Sequence, residues 1–134
     1  MIPRYRVWDK QTERMHIVSG IDFNDGLVSS VNIWHEGWPW VLEPDEIVLM
    51  QSTGLKDKNG VGIFEGDVVA VENHPFQRKE DSGVGMEIEG NYVVGWNQHD
   101  LTWCAGDLLL ARLKPYVKVI GNIYENSELL EEQR

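Results

Sequence analysis

The chain has 134 residues, 42% of them apolar, and carries 22 Asp and Glu against 12 Lys and Arg, a formal net charge of −10. That much apolar content argues against global disorder, the acidic field opposes general binding to a phosphate backbone, and the longest nearly apolar stretch, Asp107 to Leu113, is far too short to cross a membrane. A single cysteine, Cys104, excludes an intrachain disulfide and a cysteine-based metal site.

The first elements read as short strands separated by polar turns. Arg4 to Trp8 alternates polar and apolar residues with period two, Asp9 to Glu13 is a turn, and Arg14 to Val18 returns, which predicts a hairpin. Arg4, Arg6 and Lys10 are the nearest approach to a basic patch and are expected to face solvent. Asn24-Asp25-Gly26 is a second turn, leading into a strand from Leu27 to Trp34. His35 to Trp40 holds Gly37 and Pro39, which break regular structure, so an irregular segment is expected there. Glu46 to Gln51 is a strand with apolar residues on both faces.

Lys56-Asp57-Lys58-Asn59-Gly60 is a turn, Glu65-Gly66-Asp67 is another, and Val68 to Val71 is a β-branched strand. Residues 73–91 hold Pro75, four consecutive charges and Gly83-Val84-Gly85, which predicts a variable loop. Asn91 to Trp96 and Leu101 to Cys104 form a second hairpin around Asn97 to Asp100. Asp107 is placed to N-cap a short helix through Leu113, with Leu108, Leu109 and Ala111 inward, before Pro115 ends it. Tyr116 to Tyr124 is the last strand, and Ser127 is placed to cap a final helical turn.

The fold expected is therefore mainly β with short helices. An N-terminal β-hairpin and meander lobe takes residues 1–52, and a small SH3-like barrel takes residues 53–134; a single integrated domain is the alternative.

Three separated stretches carry a resemblance. Arg4-Tyr5-Arg6-Val7-Trp8-Asp9-Lys10 opens the chain, with Ile21-Asp22-Phe23 and Asp25-Gly26 following. Ser52-Thr53-Gly54-Leu55-Lys56-Asp57-Lys58-Asn59-Gly60 leads to Phe64-Glu65-Gly66-Asp67-Val68-Val69. Val119-Ile120-Gly121-Asn122-Ile123-Tyr124-Glu125-Asn126 lies near the end. In this order they resemble the YopX family, small proteins of phages and bacterial prophages. Ser127 departs from the proline found in many members, and residues 73–91 match nothing. The resemblance implies structural roles for Trp8, Asp9, Thr53, Gly54, Leu55, Asp57, Gly60, Gly66, Asp67, Gly121, Asn122, Ile123, Tyr124, Glu125 and Asn126. It implies an origin and a fold, and no reaction.

Candidate sites are few. Trp34, Trp38 and Trp40 crowd together with Pro39, the composition of an interaction hot spot, and these four are the interface candidates; the alternative is that the rings cap a small core. His16, His35, His74 and His99 show no spacing of a helical metal site, and no metal or cofactor is expected. Asp67, at a strand entry, reads as an acceptor of backbone N–H groups in its turn. Cys104 reads as a buried small apolar residue. No nucleophile elbow or phosphate loop is present.

The function expected is that of a phage or prophage accessory protein, not an enzyme. It would act through protein–protein contact and self-association, with a host or phage protein as a further partner. It would sit in the cytoplasm of the bacterial host cell, since no charged-then-apolar leader opens the sequence, with no membrane partner. Two other readings are a nucleic-acid-associated SH3-like module, against which the charge argues, and a small enzyme with a site around His99 and Asp100.

Overall fold

The computed structural model describes residues 4–72, 88–126 and 128. It is mainly β, with antiparallel strand pairs throughout. The chain divides into two compact units, Met1–Ser52 and Thr53–Arg134.

The N-terminal unit is a meander. β1 (Tyr5–Asp9) and β2 (Arg14–Asn24) form the first hairpin, pairing Trp8 with Met15 and Asp9 with Arg14. β3 (Leu27–His35) returns after the two-residue turn Asp25-Gly26. Both turn residues have positive φ, 54° and 79°, the left-handed pair of a type I′ turn whose twist suits a hairpin. β4 (Trp38–Leu42) follows, then a 3₁₀ turn at Pro44–Glu46, then β5 (Ile47–Lys56), whose first half pairs with β1. The strand order is β4-β3-β2-β1-β5, so β4 is an edge. Val7, Val31, Ile33, Leu42 and Ile47 make the core of this unit.

Two expectations change here. His35 to Trp40 is regular rather than irregular: Glu36-Gly37 is a second two-residue turn, with φ of 52° and 81°, and β4 starts at Trp38. Pro39 is accommodated because an edge strand needs its N–H groups on one side only. Arg6 is 8% exposed and does not face solvent; it lies mid-strand in β1, between Ile17 of β2 and Met50 of β5. Arg4 and Lys10 are exposed.

The second unit takes the end of β5, β6 (Gly62–Phe64) beside it, and a five-stranded sheet in the order β10-β9-β8-β7-β11. These are β7 (Asp67–Val71), β8 (Gly90–Asn97), β9 (Thr102–Ala105), β10 (Leu108–Leu109) and β11 (Val117–Asn122). Ile63 of β6 packs with Val69, Val71, Val94, Leu110 and Val117 into one core, against which Leu55 also rests. The SH3-like barrel expected for this unit is not closed: the sheet stays open among the described residues. One edge, β10, is only two residues long and leads into helix α1 (Leu110–Leu113), which diverts the chain before it can close onto β11.

That helix is shorter than expected, and Asp107 does not cap it. Gly106-Asp107 instead joins β9 to β10 as a two-residue turn, Ala105 pairing with Leu108. Leu110 and Leu113 are the buried helix residues, while Ala111 is exposed. Cys104 is 3% exposed, between Gly95 of β8 and Leu109 of β10. Residues 90–91 belong to β8, so the loop expected at 73–91 stops short of Gly90. Residues 73–87, with His74 and Gly83-Val84-Gly85, and the cap at Ser127 lie outside the described residues.

Candidate functional site

The β3–β4 hairpin sorts the tryptophan cluster onto two faces. Residues directly opposite on paired strands point to the same side. Trp34 is opposite Pro39, and Asn32 opposite Val41; His35 is opposite Trp38, Ile33 opposite Trp40, and Val31 opposite Leu42. Since Val31, Ile33 and Leu42 are core residues, Trp38 and Trp40 extend the core face beyond the core. Trp34, Pro39 and Val41 belong to the outer face. All are exposed, Trp34 to 63%, Trp38 to 71%, Trp40 to 52% and Val41 to 61%, with Ile17 at 68%. The four interface candidates thus share one hairpin end but do not form one surface.

On the core face, beyond Ile33 and Leu42, the sheet opens into a cleft of about 250 Å³. Asp9, Thr12, Arg14 and His16 line it from the first hairpin; His35, Glu36 and Trp40 line it from the second. The ring of His16 meets that of His35 edge-on at 5.2 Å, and His35 meets Trp40 edge-on at 6.1 Å. Arg14 Nη1 lies 3.2 Å from His35 Nε2, and Glu36 Oε1 lies 3.7 Å from the same nitrogen. Asp9 is occupied by its own turn: it accepts from the Gln11 N–H at 3.0 Å and from the Thr12 hydroxyl at 2.9 Å. Burial holds the His16 imidazole below its ordinary pKa; His35 and Arg14 lower it further, and Asp9 works the other way.

In the second unit the recurring motif residues build turns. The Thr53 hydroxyl donates to the Ile63 carbonyl at 2.8 Å and accepts from the Leu55 N–H at 3.1 Å. Asp57 accepts from the N–H groups of Asn59 (2.8 Å), Val61 (2.9 Å) and Val119 (2.9 Å). Burial would raise its pKa, but these donors outweigh it and hold the carboxyl below the ordinary carboxylate value. Asp67, 2% exposed, accepts from the Phe64 N–H at 2.8 Å. Gly66 donates its N–H to the Val94 carbonyl, and its own carbonyl accepts from Ile123. Asn122 Oδ1 accepts from the N–H groups of Tyr124 and Glu125 at 3.0 and 2.8 Å, and Asn122 Nδ2 donates to Glu125 Oε1 at 2.8 Å. His99 and Asp100 sit on an exposed turn whose N–H groups both donate to Asn97 Oδ1.

The YopX protein family matches this sequence over residues 4–131. The chain belongs to the YopX family. Its structure is similar to the crystal structure of protein EF1440 from Enterococcus faecalis, with a TM-score of 0.66 and 26% identity, covering 97% of this chain and 99% of the other. No curated protein matches it. In this YopX chain, Thr53, Asp57 and Gly66 bond to backbone partners, and Asn122 bonds to two backbone N–H groups and to the Glu125 side chain. The residues that sequence reasoning missed are Arg14, His16 and His35 as a group. Their signal lies in the pairing of β2 with β3: Val18 opposite Ile33 puts position 16 beside position 35. Among the described residues no group of three His, Cys, Asp or Glu could hold a metal ion, and no helix is long and apolar enough to cross a membrane.

Proposed function

We propose that this YopX protein is a phage- or prophage-borne accessory protein of the bacterial cytoplasm that works by association rather than catalysis, and that it pairs with a second copy of itself through β4. The observation that carries this reading is an edge strand with no charged residue, Trp38-Pro39-Trp40-Val41-Leu42, exposing four of its five side chains.

The strand is complementary to itself. The type I′ turn makes His35 and Trp38 a hydrogen-bonded pair, so backbone groups of Trp38, Trp40 and Leu42 point to β3, while those of Pro39 and Val41 point to the outer edge. Antiparallel pairing about a two-fold axis at Trp40 sets Trp40 against Trp40, Trp38 against Leu42 and Pro39 against Val41. Both apolar faces then continue from one copy to the other. Each Val41 N–H donates to the Pro39 carbonyl of the other copy; Pro39 has no N–H to return. Side-chain burial, at about 25 cal/mol per Å², therefore carries the pairing. The absence of charge on β4 avoids like-charge contact across the seam, and the remaining repulsion between acidic chains is screened by salt.

Sedimentation velocity tests this. The wild type is expected to dimerise at tens of micromolar, more completely at higher salt, and Trp38→Ala and Trp40→Ala to shift it to monomer with unchanged circular dichroism. A monomeric wild type, or a dimer indifferent to both substitutions, would overturn it.

A further inference from the structure

The cleft on the core face of the N-terminal unit presents a cation without a counter-ion. In a chain with nearly twice as many acidic as basic residues, Arg14 makes no ion pair among the described residues; its partner is a ring nitrogen, His35 Nε2. A guanidinium only donates, so His35 Nε2 is the acceptor in this contact. Neither nearby carboxylate pairs with Arg14. Asp9 is bonded within its turn, and the Glu36 side chain is 79% exposed. The cleft is also lined by Ile33 and Leu42, both buried, and by Trp40, which meets His35 edge-on.

We propose that this cleft binds a carboxylate joined to a compact apolar group, with Arg14, His16 and His35 holding the carboxylate and Trp40 and Leu42 covering the apolar part. A carboxylate matches the guanidinium fork bidentately and makes a stronger partner than an imidazole. Its arrival draws Arg14 from His35 Nε2 and leaves the ring free to present an N–H to the carboxylate. The same chemistry is offered by a free organic acid and by the C-terminal residue of a peptide. The site shares Trp40 and Leu42 with β4, so Trp40→Ala bears on both proposals, whereas Arg14→Gln bears on the cleft alone.

The test is the imidazole NMR signals of His16 and His35 in the full chain near pH 6. The titrants are N-acetyl-leucine, its amide, and an N-acetylated pentapeptide ending in leucine with a free or amidated terminus. Both free acids are expected to shift the two ring signals, and both amides to leave them unmoved. Arg14→Gln is expected to weaken binding about ten-fold or more, the loss of a charge-assisted bidentate contact. If that variant disturbs the rest of the spectrum, Arg14→Lys replaces it, with a smaller loss expected. A pentapeptide acid much tighter than N-acetyl-leucine assigns the site to a chain terminus; equal affinities assign it to a small acid. Silent rings, an equal response to the amides, or full binding in the Arg14 variant would each overturn the proposal.

Discussion

Asp57 Oδ2 accepts a hydrogen bond from the backbone N–H of Val119, 62 residues further along the chain, at 2.9 Å. The bond joins the turn after β5 to the final strand. With the Asn59 and Val61 N–H groups on the other oxygen, one nearly buried carboxylate organises a turn and fixes the place of β11. Asp57→Ala is expected to cost about 3 kcal/mol, since it orphans donors that a charged acceptor had satisfied. The pH dependence follows from the lowered pKa. Its stabilisation is present above the unfolded-state value and is lost as pH falls through the folded-state value. Urea unfolding between pH 7 and pH 2.5 should show an acid limb that Asp57→Ala flattens.

Gly121 and Gly60 are both motif glycines, but for different reasons. Gly60 has φ of +83° with open space where a Cβ would go, so Gly60→Ala should cost about 1 kcal/mol of backbone strain. Gly121 lacks a positive φ; a Cβ there would lie 2.6 Å from Asn126 Oδ1 and 2.9 Å from Asn126 Cβ. Asn126 Oδ1 also accepts from the Asn122 N–H, so the side chain cannot yield without losing that bond. Gly121→Ala is expected to cost about 2–3 kcal/mol, the overpacking range. Thermal melts of the two variants should rank Gly121→Ala as the less stable.

The contrast shows where the sequence was legible. Alternation from Arg4 to Val18 and the Asp25-Gly26 pair located the first hairpins, because period-two patterning and a left-handed-tolerant dipeptide are local signals. Gly60 and Gly66 have the positive φ that their turns imply and Gly54 has it within β5, whereas Gly121 answers to a side chain five residues on. The β3–β4 turn was hidden because Glu36, neither Asn nor Gly, takes the left-handed position, and Pro39 looks like a breaker unless β4 is known to be an edge. Gly106-Asp107 did carry a turn signal, but an acid before a leucine run reads equally well as a helix cap. The Arg14, His16 and His35 group needs the register of β2 on β3, which a bulge shifts between Val18 and Gly20. No spacing rule along the chain finds it.

The Glu36-Gly37 turn supplies a stabilising substitution. Glu36 has φ of 52°, a conformation that a long side chain tolerates poorly and Asn tolerates well. Glu36→Asn is expected to stabilise the protein by about 0.5–1 kcal/mol, whereas Asp25→Asn, in a turn already well matched, should be neutral. Paired chemical denaturation curves check both.

His16 makes the N-terminal unit sensitive to mild acid. Its pKa is lowered in the fold, first by burial and then by His35, so the unfolded chain binds the proton more readily. Its stabilising effect is present above the unfolded value near 6.5 and is lost as pH falls through the folded value. His16→Gln should reduce the slope of stability between pH 7 and pH 5.

Cys104, sealed between β8 and β10, gives the second unit a built-in clock. An alkylating reagent can reach the thiol only when the strands around it part, so the labelling rate counts openings rather than accessible surface. At low reagent concentration the rate reports how often the open form is populated; at high concentration it saturates at the speed of opening itself. Because no other cysteine competes, a single mass increment records each event, without any added probe.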